Sequence, residues 1–471
     1  MLVWFRNDIR IHDNPALDYA LKHGVTEAVF LATPKQWRQH NQGKIKIDFL
    51  LRHVQLLAKQ LAQLNIKLTI INVDDFAGQV SYIQQWQAQH KQTVVANSEV
   101  EINERNRDTD LINSKCAIKL FESDVIVAKG KVLNLSGSMY KVFTPFKKAW
   151  LKRVQAISFD YIPRYSNSSN TLDDFSGGDL QAVAKIINDL KTEYQTMNSE
   201  HWPLADAVEQ QTIPTFLQDK IGDYKQHRDM PAIKATSGLS PYLAIGAISV
   251  RYLMRLLIQR FPDLLISTDS PNFTWLNELI WRDFYRHLLF HFPRLCCSEN
   301  FNHKYDQLPW PNNQQHFIAW QQGKTGYPLV DAAMRQLNQT GWMHNRLRMV
   351  VASYLTKHLL VDWRLGEKYF SERLIDVDLA ANNGGWQWSA GTGCDAQPYF
   401  RVFNPITQSQ RFDPKGDFIR KYLPELKHIP DKHIHFPHDF IKKSDSRCYW
   451  PAIVDHKTAR LRALEFYKTY S

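Results

Sequence analysis

The stretch KLTIINVDDFAGQVSYIQQWQAQ (67–89) places a short run of branched apolar residues directly before an amphipathic helical pattern. Similar apolar runs occur at 2–5, 28–33 and 93–97, and another helical pattern covers 48–64. Alternation of buried strands with helices predicts a parallel sheet, doubly wound, with helices on both faces. No G-x-G-x-x-G or G-x-x-x-x-G-K-[ST] follows these strands, so the α/β part is not a standard dinucleotide or triphosphate site.

A chain of 471 residues exceeds what one ordinary core organises, so several domains are expected. We predict an α/β domain over 1–128 and an interdomain linker over 129–200. The linker is suggested by the Ser-, Asn-, Asp- and Gly-rich segment 164–179. From 201 to 471 the pattern is helical, which predicts an all-α C-terminal domain.

The composition points to a soluble protein with a polyanionic or a flat ligand. The net charge is +11, and nine of the 14 tryptophans follow residue 236. The charge favours nucleic acid as partner, although a role in solubility explains it equally well. The five cysteines show no C-x-x-C spacing, and neither a signal core nor an apolar run long enough to span a membrane occurs. We therefore expect a cytoplasmic protein without metal.

Four stretches in the helical part carry candidate chemistry. ATSGLSPYLAIGAIS (235–249) offers hydroxyl and N–H donors at a predicted helix start with Ser240 as N-cap, suited to an anion, although a plain capped helix fits as well. WLNELIWRDFYRHLL (275–289) aligns Glu278 and Arg282 between tryptophans, either as a partly buried polar site or as a surface ion pair.

GWMHNRLRMVVASYL (341–355) puts an amide and a methionine on an apolar stripe, which indicates a pocket wall or ordinary core. His344 alone is more consistent with a structural role. DVDLAANNGGWQW (376–388) combines two aspartates, two asparagines and two tryptophans. Helix capping explains the aspartates but not the amides and glycines beside tryptophan. Together the four stretches suit an adenine–flavin dinucleotide, which needs phosphate donors, carboxylates and aromatic walls.

The sequence resembles the DNA photolyase/cryptochrome family along nearly its full length, and within it the class I cyclobutane pyrimidine dimer photolyases with a folate antenna. The matching blocks are LVWFRNDIRIHDNPAL (2–17), TPKQWRQH (33–40), INERNRD (102–108), MYKVFTPFKKAWLKR (139–153), WLNELIWRDFYRH (275–287), GKTGYPLVDAAMRQLNQTGWMHNRLRM (323–349) and DVDLAANNGGWQW (376–388).

The resemblance implies an N-terminal α/β domain, a long linker and a helical domain that holds FAD. Its phosphate side would be bound by Tyr224, Thr236, Ser237, Gly238, Leu239 and Ser240. The rest of the cofactor would be lined by Trp275, Glu278, Arg282, Trp342, Asn345, Arg348, Asp376, Val377, Asp378 and Asn382. Asp376 would face the flavin ring, and Asn382 its reactive nitrogen.

The reaction implied is light-driven repair of damaged DNA, in which reduced anionic FAD donates an electron to a flipped-out cyclobutane dimer. Glu278 and Asn345 would hydrogen-bond the bases, and Glu278 would stabilise the developing charge. The apolar walls would be Trp281, Met349 and Trp388. Candidates for the DNA strand are Arg228, Arg346, Arg401 and Gln408. The resemblance also implies a monomer without membrane contact.

Trp310, Trp363 and Trp386 match the family's electron relay, which serves photoreduction rather than repair, although each could simply be core. A 5,10-methenyltetrahydrofolate antenna is implied by the 37–40 segment with Asn103 and Glu104. Two departures are Gly238, where many relatives carry a basic residue, and Cys297, where folate-type relatives often place lysine. The second predicts weaker antenna binding.

Three alternative functions compete with this interpretation. A cryptochrome-type light sensor would share the fold and FAD, but such relatives commonly carry aspartate or cysteine where this chain has Asn382, and the sequence ends at Ser471 without a long tail. Photolyases for (6-4) photoproducts use a histidine pair at the positions of Asn345 and Met349. A light-independent flavin or nucleotide enzyme would require the resemblance to fail.

Overall fold

The structure is a computed structural model that describes residues 1–157, 177–443 and 448–468. Most of the predicted linker segment 164–179 lies outside these residues. In the described residues, no helix combines the length and the apolar character needed to cross a bilayer.

The N-terminal part is built on a five-stranded parallel sheet with the spatial order β3-β2-β1-β4-β5. Its strands are β1 (Leu2–Phe5), β2 (Glu27–Ala32), β3 (Lys67–Asn72), β4 (Val94–Asn97) and β5 (Ile118–Phe121). The four predicted strands are confirmed within one or two residues at each end. The edge strand β5 was not predicted, because its residues are mostly half-exposed and give no continuous apolar run.

The helices follow the chain in this order. Around the sheet lie α1 (Pro15–Leu21), α2 (Pro34–Gln39), α3 (Lys44–Ala62), α4 (Phe76–His90) and α5 (Ile102–Asn113). Next come α6 (Phe143–Val154), α7 (Gly177–Tyr194), α8 (Ala205–Ala207), α9 (Ile213–Thr215), α10 (Tyr224–His227), α11 (Ser240–Ala244), α12 (Val250–Arg260) and α13 (Phe273–His291).

The last part of the chain contains α14 (Gln314–Gln321), α15 (Pro328–Thr340), α16 (Asn345–Ser353), α17 (Trp363–Arg373), α18 (Leu379–Ala390), α19 (Pro405–Phe412), α20 (Asp417–Tyr422), α21 (Asp431–Ile434), α22 (His438–Lys443) and α23 (His456–Lys468). Single π-helical turns cover Val208–Thr212, Phe216–Lys220 and Tyr354–His358. The fold class predicted from the sequence, a parallel α/β part followed by a helical part, is confirmed.

The chain divides into two compact units that do not follow a single cut in the sequence. The first comprises 1–221, 237–296 and 375–380, and the second comprises 222–236, 297–374 and 381–471. The predicted boundaries at 128 and 200 remain a prediction. The predicted site residues fall in both units, and the stretch 376–388 is itself shared between them.

A buried carboxylate ties the first unit together. Asp283 of α13 is fully buried and accepts hydrogen bonds from the backbone N–H groups of Ile126 and Val127 and from Nε1 of Trp150, at 2.9–3.2 Å. These three donors satisfy a group that would otherwise be costly to bury. The contacts fix α13 against the segment after the sheet and against α6.

Candidate functional site

The loop before α11 offers unengaged N–H donors. Among the residues that the structure describes, none of the backbone N–H groups of residues 236–239 has a protein acceptor, and Gly238 has a φ of +68° with open space beside it. Successive free N–H groups around a left-handed glycine form a concave anion site. This arrangement fits the diphosphate part of a dinucleotide.

The expected N-cap role of Ser240 was wrong. Helix α11 begins at Ser240 and spans five residues, so Leu239 occupies the cap position. The Ser240 hydroxyl instead donates to Oδ2 of Asp376 at 2.7 Å. A hydrogen bond to a carboxylate is stronger than one accepted from a neutral N–H. This explains why the Ser240 hydroxyl bonds to Asp376 and does not cap the helix.

The aspartates of the stretch 376–388 are held within the first unit. Asp376 is 7 % exposed and accepts from Ser240, and Lys46 of α3 donates to the carbonyl oxygen of Val377 at 2.9 Å. Asp378 pairs with Arg286 of α13, directly before α18 begins at Leu379. Three consecutive residues of the predicted flavin site are therefore each fixed by a separate contact.

Helix α13 presents the residues predicted for the cofactor and the lesion. Trp275 is buried, whereas Glu278, Trp281 and Arg282 are half-buried. The guanidinium of Arg282 donates to the carbonyl oxygens of Asp124 and Leu243. Burial and the neighbouring Arg286 lower the pKa of Arg282 to about 10, which leaves it charged at neutral pH.

The sequence did not reveal the partner of Trp281. The ring of Phe143, the first residue of α6, stacks on Trp281 with centroids 3.6 Å apart and planes inclined by 4°. This contact joins residues far apart in the chain, so no local pattern could predict it. The stack fixes the orientation of the indole that is predicted to line the lesion pocket.

In the second unit, Asn382 has a defined orientation. Its Nδ2 donates to the carbonyl oxygen of Glu367 at 3.0 Å and to the hydroxyl of Ser371 at 3.1 Å. The hydrogen-bond network assigns the amide so that Oδ1 is left as the acceptor. Since no donor to this oxygen occurs in the described parts of the chain, it suits a ligand N–H, as the reactive nitrogen of a reduced flavin would offer.

The three tryptophans predicted to form an electron relay also lie in the second unit. Trp386 and Trp363 are buried, while Trp310 is half-buried beside Phe466 and Tyr467. Trp363 donates to Oδ1 of Asn300 at 3.0 Å, and Nε1 of Trp386 has no acceptor among the described residues. Within the described residues, neither indole N–H therefore donates to a carboxylate or an imidazole.

Gly366 makes room for Trp386. A Cβ at this position would lie 2.2 Å from the indole ring, closer than any real contact. The indole also contacts Trp320 and Phe370, with ring centroids 6.1 and 5.0 Å away. A ring so enclosed by rigid neighbours has little freedom to reorient.

Helix α16 carries the other predicted pocket residues. Asn345 is exposed at its first position, and Trp342, Arg348 and Met349 are half-buried. Nδ1 of His344 accepts from the backbone N–H of Arg346, so His344 caps this helix. Burial lowers the pKa of His344 to about 4, which keeps the ring neutral and able to accept. The structural interpretation of His344 is supported.

Several candidates for DNA contact cluster in the second unit. Arg346 donates to Asp229 at 2.8 Å and lies over the ring of Phe412, and Asp229 is adjacent to Arg228. Asp229, which was not predicted, thus orients Arg346. The remaining predicted residues are Gln408 on α19 and Trp388 on α18, both half-buried, exposed Arg401, and buried Tyr224 at the start of α10.

A pocket opens in the first unit at the carboxyl ends of β1, β2 and β4. It encloses about 100 Å³ and is lined by residues that include Arg6, Trp37, His40, Lys46, Glu99 and Glu104. This is where the strand order reverses, the position at which open α/β sheets bind ligands. Asn103 is adjacent, with Nδ2 3.0 Å from Nε2 of His40.

Glu104 has an electrostatic environment suited to a ligand. Its Oε2 is buried without a partner among the described residues. Burial and the nearby Glu101 and Glu99 raise the pKa of its carboxyl well above the ordinary value. A desolvated carboxyl of this kind is stabilised by ligand N–H donors, which the edge of a pterin ring would provide.

Glu367 predicts a pH dependence of stability. Burial raises its pKa from 4.5 to about 7. Between these values the unfolded chain ionises first, so the free energy of unfolding falls as pH rises, by up to about 3 kcal/mol. Glu367→Gln should abolish this loss and be the more stable protein at pH 8. Thermal unfolding of both proteins from pH 5 to pH 8 tests this, with exposed Glu372→Gln as control. Parallel curves for wild type and Glu367→Gln would contradict the assignment.

Comparison with known proteins identifies the family. Residues 1–164 match the family described as DNA photolyase, and residues 275–469 match the FAD binding domain of DNA photolyase. The deoxyribodipyrimidine photo-lyase of Escherichia coli is 43 % identical over 99 % of this chain and 98 % of its own length.

Two solved structures are similar over nearly the whole chain. A class III photolyase from Agrobacterium tumefaciens has a TM-score of 0.76 at 32 % identity, and covers 100 % of this chain and 97 % of its own. A cryptochrome from Synechocystis has a TM-score of 0.81 at 28 % identity, with coverage of 99 % and 98 %. The chain belongs to the DNA photolyase family. The predicted family and its cofactor, FAD, are confirmed, and the open donors of residues 236–239 fit that cofactor.

Proposed function

We propose that this protein is a light-dependent DNA repair enzyme, a deoxyribodipyrimidine photo-lyase that splits cyclobutane pyrimidine dimers in damaged DNA. The observation that carries the proposal is the 43 % identity with a photo-lyase over almost the full length of both chains. Bound FAD in its reduced form supplies the light-absorbing electron donor. The residues of this chain bind, orient and shield the reactants.

The residues proposed to contact the lesion lie on α13, α16 and α18. Glu278 and Asn345 offer a carboxyl group and an amide for the flipped bases, and Trp281, Met349 and Trp388 offer apolar surface. A half-buried carboxyl beside tryptophan is more effective electrostatically than one in water. Arg228, Arg346, Arg401 and Gln408 are proposed for the strand, which predicts a strong dependence of binding on salt.

The proposed relay consists of Trp386, Trp363 and Trp310. Among the described residues neither buried indole N–H has a base as its acceptor, so we expect both indoles to be oxidised without loss of the proton. The charge therefore moves on as an electron vacancy. Half-exposed Trp310 can release its proton to water, which traps the charge at the surface end.

We assign the pocket at the carboxyl ends of β1, β2 and β4 to a 5,10-methenyltetrahydrofolate antenna, with Glu104 and Asn103 as binding residues. Because the pocket is smaller than a typical cleft for a whole ligand, it would take a ring edge while the remainder lies outside. Exposed Cys297, in place of the lysine common in folate-type relatives, implies weaker binding. We further propose a cytoplasmic monomer.

The cryptochrome-type sensor is the alternative, since a solved cryptochrome shares the fold. Fold alone does not separate the two. Asn382 favours repair, because its fixed amide matches the photolyase choice at this position.

The test is repair of a thymine-dimer oligonucleotide by the reduced protein under blue light and in darkness. Wild type should restore intact thymines under light alone. Glu278→Ala should slow repair about tenfold or more while FAD stays bound, because the removed carboxyl contacts the substrate. Glu372→Ala on the exposed face of α17 is the matched control. No light-dependent restoration by wild type would refute repair and favour the sensor.

A further inference from the structure

Arg286 of α13 bridges two carboxylates in the interior of the first unit. Its Nη1 lies 2.7 Å from Oδ2 of Asp124, and its Nη2 pairs with Oδ2 of Asp378. The residue is 7 % exposed, so the guanidinium is well shielded from water. One side chain thereby joins the segment after the sheet to the start of the stretch 376–388.

The electrostatic surroundings favour the charged forms of both Asp124 and Arg286. Burial works against ionisation of Asp124, but Lys129 and Arg286 lower its pKa below the ordinary range. Burial likewise disfavours the charged form of Arg286, but Asp378 and Asp124 raise its pKa above that of a free arginine. Loss of the guanidinium would leave two shielded carboxylates facing each other, which is far costlier than loss of an exposed pair.

Lys46 of α3 holds the same segment through a second contact. This residue of α3 is 8 % exposed and donates to the carbonyl oxygen of Val377 at 2.9 Å and to Oε1 of Gln42 at 2.8 Å. A backbone carbonyl bonded to a buried ammonium group fixes the position of the main chain itself. Lys46 and Arg286 lie on different helices and bond to different residues of the segment, so they are two separate contacts.

We propose that Arg286 and Lys46 are positioning residues for FAD, acting through the segment Asp376, Val377 and Asp378. The proposal rests on the proposed function and on the predicted contact of Asp376 and Asp378 with the cofactor. Each residue of the segment has its own anchor: the Ser240 hydroxyl for Asp376, Lys46 for the Val377 carbonyl and Arg286 for Asp378. Anchoring in advance of binding reduces the ordering cost that the cofactor must offset.

The measurement is the rate at which FAD dissociates from the purified holoprotein, followed by the fluorescence of released FAD. Arg286→Gln should release FAD about tenfold faster, as expected for loss of a charged hydrogen-bonded anchor. Arg286→Lys, which retains the charge, should release FAD at a rate close to that of the wild type. Lys46→Met keeps the length and apolar stem and should release FAD about threefold faster. If Arg286→Gln fails to fold, the threefold faster release expected of Lys46→Met decides the question.

The matched control is Arg52→Gln. Arg52 anchors the same unit structurally, with Nη1 donating to the carbonyl oxygens of Ser199 and Trp202. Its replacement should lower the thermal midpoint without changing FAD release. Equal acceleration in Arg52→Gln, or wild-type release of FAD in Arg286→Gln and Lys46→Met, would overturn the positioning role. Asp376→Asn separates the two proposals: unchanged FAD release by this variant would reject the assigned flavin contact itself.

Discussion

Trp386→Phe is expected to lower the rate at which blue light reduces bound, oxidised FAD by on the order of a hundredfold, equivalent to about 2.7 kcal/mol in the activation barrier. Phenylalanine retains the apolar contacts with Trp320 and Phe370 but is far harder to oxidise than indole. Trp386 is 2 % exposed and its indole N–H has no acceptor among the described residues, so its proposed role is electron transfer alone. Absorbance of oxidised FAD during illumination with an external reductant measures the rate.

Trp320→Phe is the matched control for this variant. Trp320 is fully buried, touches the Trp386 ring and creates a similar cavity when truncated, but it does not belong to the proposed relay. Its replacement should change photoreduction by less than about threefold. Repair of dimers by chemically reduced enzyme should persist in both variants. Photoreduction at the wild-type rate in Trp386→Phe, or equal losses in both proteins, would reject the relay.

The sequence predicted the fold where burial is continuous. Strands β1, β2, β3 and β4 have apolar runs bounded by helical patterns, and the structure confirms all four. Strand β5 lacks such a run, and none of its four residues is fully buried. Local patterns report how a residue relates to its near neighbours in the chain, so they miss a strand whose own residues show no clear apolar pattern.

The candidate site shows the same limit more clearly. Pattern and resemblance named Asp376, Asp378 and Trp281, but not Arg286, Lys46 or Phe143 that hold them. Each of these supports is at least ninety residues away from its partner in the sequence. The Ser240 prediction failed for a related reason: a local capping rule could not include a buried carboxylate from a distant segment.

Asp331→Asn is expected to destabilise the second unit by about 3 kcal/mol or more. Asp331 is fully buried on α15. Oδ1 accepts from the N–H and the hydroxyl of Thr325, and Oδ2 accepts from the Gly326 N–H, the Tyr449 hydroxyl and Nε1 of Trp450. Whichever oxygen becomes an amide NH₂ then faces at least two donors. The buried donors lose their acceptor without access to water.

The destabilisation by Asp331→Asn should be largest in the two segments whose donors bond to Asp331, 323–331 and 448–453. Gly326 has a φ of +81°, and a Cβ there would lie 2.3 Å from the backbone of Ala452, so the loop after α14 and the segment around Ala452 pack directly together. Calorimetry should show a lower midpoint, and amide hydrogen exchange should accelerate at 323–331 and 448–453. Asp431→Asn is the control: its exposed pair with Arg420 is expected to contribute about 0.5 kcal/mol. A loss in Asp331→Asn no larger than in this control would show that Asp331 does not hold the two segments together.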